Sequence, residues 1–205
     1  MSKLTPALGV LGVGGVMGLG TALSHSMSDK ETIQDKLSRE GFKLLKDGAS
    51  EWSAILSSYK NDKNVWKFKK EHTGVDGEIQ DESNLKKVCS AVLKLESSLE
   101  EAYKSTTKWC VSPRKVEEFV TGLLGVVETD ESDESKWKHN VDAYKGTKKD
   151  TKYAWDDVVF NGSNDKEDTK KLKKGCKARR EKLTYDVGFD DALKGVKERC
   201  LEKNE

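Results

Sequence analysis

From Leu4 to Leu23 no residue carries a charge, and Lys3 stands directly before the run. As a helix these 20 residues reach about 30 Å, the thickness of a bilayer's hydrocarbon core. An uncharged helix satisfies its own backbone there, so the segment reads as a signal anchor or signal peptide. Lys3 and the amino terminus favour the cytoplasm. Beyond the run Asp29, Glu31 and Asp35 mix with Lys30 and Lys36, so the rest of the chain is expected outside. Ala22-Leu23-Ser24 offers a mediocre cleavage triplet, and no cysteine lies near it for lipid attachment. An uncleaved anchor is the expectation, with secretion following if the leader is cut. Residues 1–27 are then the leader and residues 28–205 an extracytoplasmic helical domain. The glycines of Gly12-Val13-Gly14-Gly15-Val16-Met17-Gly18 suit helix packing in lipid. A phosphate-binding loop would need a preceding strand, which residues 1–11 do not supply.

Past the leader the chain is dense in charge yet balanced, with 37 Lys and Arg against 36 Asp and Glu. A net charge of +1 creates no global field for nucleic acid or anionic lipid. Five Trp, five Tyr and five Phe supply the apolar area that a disordered chain lacks.

From Ser28 onward the periodicity is helical almost throughout, which predicts an all-α helical bundle. Ser28 with Glu31 reads as a capping box before Ile33, Leu37, Leu44 and Leu45. Trp52, Ile55, Leu56 and Tyr59 define a second helix. Leu85, Cys89, Val92, Leu99 and Tyr103 lie on one stripe and predict the longest helix of the chain. Ser112-Pro113 reads as a cap and first-turn proline for a helix carrying Val116, Phe119, Val120, Leu123 and Leu124. Trp137, Val141 and Tyr144 mark a shorter helix, and Phe189, Ala192, Leu193, Val196 and Cys200 a terminal one. Val158-Val159-Phe160 is the best strand candidate and is three residues long. Trp52 to Tyr59-Lys60 and Trp137 to Tyr144-Lys145 share the same offsets, each downstream of a Phe-x-x-Leu or Phe-x-x-x-Leu stretch. A duplicated helical pair would explain this, but a Trp and a Tyr seven apart on one buried face is the plainer reading.

Cys89, Cys110, Cys176 and Cys200 contain no C-x-x-C pair, which argues against structural zinc. Export permits two disulfides. Cys176 and Cys200 each lie 12 residues from Gly188, so a helical hairpin turning there sets them opposite one another. Cys89 to Cys110 is then the second pair, but a continuous helix would hold those residues about 30 Å apart. That pairing requires the helix to stop near Lys104 and double back; otherwise some cysteines are buried thiols.

No catalytic, cofactor or metal motif emerges, and no cofactor is expected. His72 and His139 lack any local nucleophile signature. The stretch from His72 to Ser83 misses a calcium loop's first, third and twelfth ligands. The basic stretch from Lys166 to Lys182 offers a possible anion-binding face of Lys170, Lys171, Lys174, Lys177 and Arg180. No aromatic residues interleave there, so a solvated helix face is the plainer reading and nucleic acid is not the expected partner.

The opening Met-Ser-Lys-Leu-Thr-Pro-Ala-Leu-Gly-Val-Leu-Gly-Val-Gly-Gly, the Trp52 to Tyr59 helix and the Trp109-Cys110-Val111 junction together resemble the paralogous surface and membrane proteins of haemotropic mycoplasmas. The resemblance implies a membrane-associated protein of an erythrocyte-attached bacterium, one of an antigenically varied set. It carries over no catalytic residues. A non-enzymatic surface protein for host interaction or antigenic variation is the resulting expectation, with the membrane and a host cell-surface or serum protein as partners. The alternatives are an exported enzyme and an intracellular nucleic-acid binder using Lys166 to Lys182.

Overall fold

The computed structural model describes residues 30–74, 78–147, 154–160 and 164–203. The chain divides into Met1–Lys30 and Glu31–Glu205. The expected leader at residues 4–23 and the Ser28 cap lie outside the described residues. Among the described residues, no helix is long and apolar enough to cross a membrane.

The second unit is all-helical among its described residues. In order come α1 (Ile33–Arg39), α2 (Trp52–Lys60), α3 (Lys70–Thr73), α4 (Glu82–Val92), α5 (Glu100–Trp109), a 3-10 turn (Val116–Phe119), α6 (Glu134–Lys145), α7 (Asp165–Arg180) and α8 (Phe189–Arg199). The expected helices over Trp52 to Tyr59, Trp137 to Tyr144 and Phe189 to Val196 are present. Three other expectations are corrected. The cap of α1 is Thr32 with Asp35, and the helix ends at Arg39, so Leu44 lies beyond it in an isolated bridge to Val111. The stripe from Leu85 to Tyr103 is not one helix. It breaks between α4 and α5, where the Leu93 and Leu95 carbonyls accept from the Gln34 and Ile33 amides. Among the described helices α7 is the longest. The Ser112-Pro113 helix is the third correction, for only the 3-10 turn forms. The chain then runs extended, because the Val116 and Leu124 amides donate to Lys182 and Cys200 instead of to carbonyls four residues back. Val158 is buried in a loop and forms no strand.

Residues 32–112 and 115–202 follow one pattern of contacts, and each is one copy of that motif. Each copy opens with a residue whose amide donates to an acid three positions on, Thr32 to Asp35 (3.1 Å) and Lys115 to Glu118 (2.7 Å). Each then bridges to the turn before its last helix, Thr32 to Glu96 and Lys115 to Leu183. Next comes a bridge to the residue after its second cysteine, Leu44 to Val111 and Leu123 to Leu201. Trp52 Nε1 donates to the Lys46 carbonyl (2.8 Å), and Trp137 Nε1 to the Gly125 carbonyl (3.0 Å). The Tyr59 hydroxyl accepts from the Phe68 amide (3.1 Å), and that of Tyr144 from the Trp155 amide (2.8 Å). The shared Trp and Tyr spacing therefore marks equivalent positions in two halves with the same pattern of contacts, and in both halves the Trp and Tyr face is buried.

Each copy has its own core. In the first, Trp52, Ile55, Tyr59, Leu85, Val88 and Trp109 pack together. A smaller cluster of Ile33, Leu37, Ala102 and Val111 lies beside them. In the second, Val116, Trp137, Val141, Trp155, Leu172 and Val196 do the same work. The disulfides close each copy. Cys89 meets Cys110 at a Cα separation of 5.5 Å, and Cys176 meets Cys200 at 5.9 Å, both within the span a disulfide tolerates. The first pairing needed the chain to double back, which it does at residues 93–99 rather than near Lys104. No free cysteine remains.

Candidate functional site

Of the five α7 residues expected to bind anions, two are spent on internal bonds. Lys170 pairs with Glu167 at 2.9 Å. Arg180 donates from Nη1 to the Leu124 carbonyl at 2.7 Å and lies 3.6 Å from Glu117. Arg179 forks onto Asp157 and stacks on the Trp155 ring at 3.9 Å. Lys173, 1% exposed, is a brace, its ammonium donating to Asp133 (2.7 Å) and to the Asp130 carbonyl (2.6 Å). Those bonds fasten the acidic stretch before α6 onto α7. Lys171, Lys174 and Lys177 alone of the five lack an ion pair among the described residues, and three lysines on one helix make a poor phosphate track.

A better-formed site lies where the two copies meet. The i, i+3, i+4 spacing sets Lys104, Thr107 and Lys108 on one face of α5, and the same rule sets Asp190, Leu193, Lys194 and Lys197 on one face of α8. With Phe42, Trp66, Phe119 and Phe189 they line a cavity of about 480 Å³, within the usual size of ligand pockets. Its floor is aromatic. Phe119 packs edge-on against Phe189 (5.6 Å) and tilted against Phe42 (6.3 Å). Arg114 covers the Phe119 ring at 4.3 Å.

At the centre, Asp190 ties the copies together. Its Oδ1 accepts from Lys108 Nζ and its Oδ2 from Trp66 Nε1, each at 2.7 Å. The Lys108 ammonium also sits 4.4 Å from the Phe189 ring centre. Burial lowers the lysine's pKa, and the hydrogen bond and charge of Asp190 pull it back upward. Both oxygens of Asp190 have partners, so the network anchors the groove rather than offering a free base. The rim is cationic. Lys194 and Lys197 are exposed and form no ion pair among the described residues, while Lys104 makes only an exposed contact to Glu100 at 3.3 Å. Counting from the second cysteine of each copy, Lys104 and Lys194 hold the same position, so the shared pattern sets a lysine on each bank.

Nothing in the sequence pointed to this groove. Asp190 is 82 residues from Lys108 and 124 from Trp66, and none of the three belongs to a motif. The described residues contain no group of three or more His, Cys, Asp or Glu placed to hold a metal ion. His72 sits 3.9 Å from Glu71, and His139 is exposed on α6. No protein family, no curated protein and no solved structure matches the chain.

Proposed function

We propose that residues 31–203 form a disulfide-locked binding module, held outside a membrane by residues 4–23 and used for host contact or antigenic variation. The observation that carries the reading is the closure of all four cysteines into two disulfides. Such bonds persist in oxidising compartments and are reduced in the bacterial cytosol. Export also fits the uncharged leader with its preceding lysine. The groove between the copies supplies a binding surface with an anchored centre and an exposed cationic rim. The intracellular nucleic-acid reading loses support, because Lys173, Arg179 and Arg180 are engaged in holding the fold.

Protease treatment of intact cells tests the placement. Digestion of the domain from outside, with cytoplasmic markers spared, is the expected result. A domain that is cut only after lysis overturns it.

A further inference from the structure

Resting on that reading as a binding module, we propose that the groove between α5 and α8 takes an acidic peptide segment bearing an apolar or aromatic side chain. Charge complementarity fixes the acidic part. Four lysines and one aspartate line the groove. That aspartate is neutralised by Lys108, so the field at the mouth comes from Lys104, Lys194 and Lys197. Those three side chains stand on the banks of two different helices, a spacing that suits carboxylates distributed along an extended segment rather than one compact anion. The floor fixes the rest: Phe42, Phe119, Phe189 and Leu193 present apolar surface between the cationic banks, where a buried side chain gains the usual transfer free energy.

A nucleic-acid strand fits less well. Stacking on bases needs an open ring face, whereas Phe119 meets Phe189 edge to face and has its own ring covered by Arg114. The Trp66 indole is held by its bond to Asp190.

The test uses the full chain in detergent with three labelled probes: a random glutamate-tyrosine copolymer, poly-glutamate and an oligo-dT strand of matched length. Two triple variants carry the same change of charge, K104E/K194E/K197E in the groove and K171E/K174E/K177E on α7. The groove triple is expected to weaken copolymer binding about ten-fold or more, as loss of several charge contacts implies. The α7 triple should change it by less than about two-fold. Five of the six lysines are exposed and Lys171 is half-buried, and an unchanged melting temperature verifies that both triples fold. The copolymer should also bind more tightly than poly-glutamate, because only it carries rings for the floor.

Absence of copolymer binding, equal losses in the two triples, no preference over poly-glutamate, or tighter binding of oligo-dT would each overturn the proposal. If the domain is digested on intact cells but the copolymer does not bind, the groove's peptide fails and the placement stands. If the copolymer binds a domain that proves cytoplasmic, the groove's peptide stands and the placement fails.

Discussion

Gly175 in the middle of α7 gives the sharpest test of how the second copy is packed. A Cβ added there would lie 2.4 Å from Val158 Cγ2 and 3.0 Å from Trp155 Cε3. The other side of the same indole rests on Gly195 of α8, where an added Cβ would meet Nε1 and Cζ2 at 3.0 Å. Trp155 is thus seated in a notch cut by two helical glycines. Replacing a mid-helix glycine by alanine ordinarily gains about 1 kcal/mol, but overpacking a tight core costs about 1–3 kcal/mol. With a contact as short as 2.4 Å, the cost falls at the upper end, so Gly175→Ala should destabilise by about 1–2 kcal/mol net. That corresponds to a fall of roughly 2–8 °C in melting temperature for a domain of this size. In a Val158→Ala background the nearest atom is removed, and the same substitution should cost close to nothing. Urea unfolding followed by circular dichroism measures both, read as midpoint shifts at constant slope. Stabilisation by Gly175→Ala alone, or an equal cost in the two backgrounds, would refute the packing. The first copy carries Val88 at the corresponding position beside its cysteine, and there the aromatic partner of the tyrosine is the smaller Phe68.

Three further outcomes follow from the same contacts. Replacing both cysteines of either pair by alanine should lower stability by about 3.4 kcal/mol, from loops of 21 and 24 residues, and a loss under about 1 kcal/mol in calorimetry would count against the bonds. Asp133→Ala leaves the Lys173 ammonium buried with carbonyl partners only and should cost about 3–5 kcal/mol. Lys173→Met should cost less, since Asp133 keeps the Trp137 indole N–H as a donor, and the reverse order in urea titrations would contradict the brace. The Asp157 carboxyl is held below its ordinary value near 3.8, chiefly by its hydrogen bonds with Arg179. Its folded pKa is depressed, so its contribution is fully present above the unfolded value and is lost as pH falls through the folded one. Because Asp157 is more than half exposed, that contribution is at most about 1 kcal/mol. Asp157→Asn should therefore flatten stability between about pH 4 and the acid limit, and an unchanged acid limb in thermal melts would show the pair to be inert.

Where neighbours in sequence also decide the packing, the fold could be read directly. The apolar faces of α2, α6 and α8 are complete within one helix each, so their periodicity sufficed. The equal distances of Cys176 and Cys200 from Gly188 likewise described a local hairpin. Residues 83–103 and 112–124 have equally good helical stripes, but distant amides and carbonyls capture their backbones: Ile33 bonds to Leu95, and Leu124 to Cys200. Periodicity carries no signal of such competition. The repeated pattern showed in the sequence as Trp and Tyr with a following Lys, downstream of a Phe and a Leu, and no further, because the connections differ in length. Six residues separate Lys46 from Trp52, while twelve separate Gly125 from Trp137. The acidic stretch that Lys173 clamps fills that longer span. The groove was not legible at all, since Trp66, Lys108 and Asp190 become neighbours only after the two copies dock.

The state of the four cysteines in the living cell bears most directly on an exported, disulfide-locked domain. Trapping thiols with an alkylating reagent at lysis, then mapping peptides by mass spectrometry without reduction, reads that state. The expected result is unlabelled cysteines and two linked peptides, one joining Cys89 to Cys110 and the other Cys176 to Cys200. Quantitative labelling of all four thiols in the native protein would contradict it.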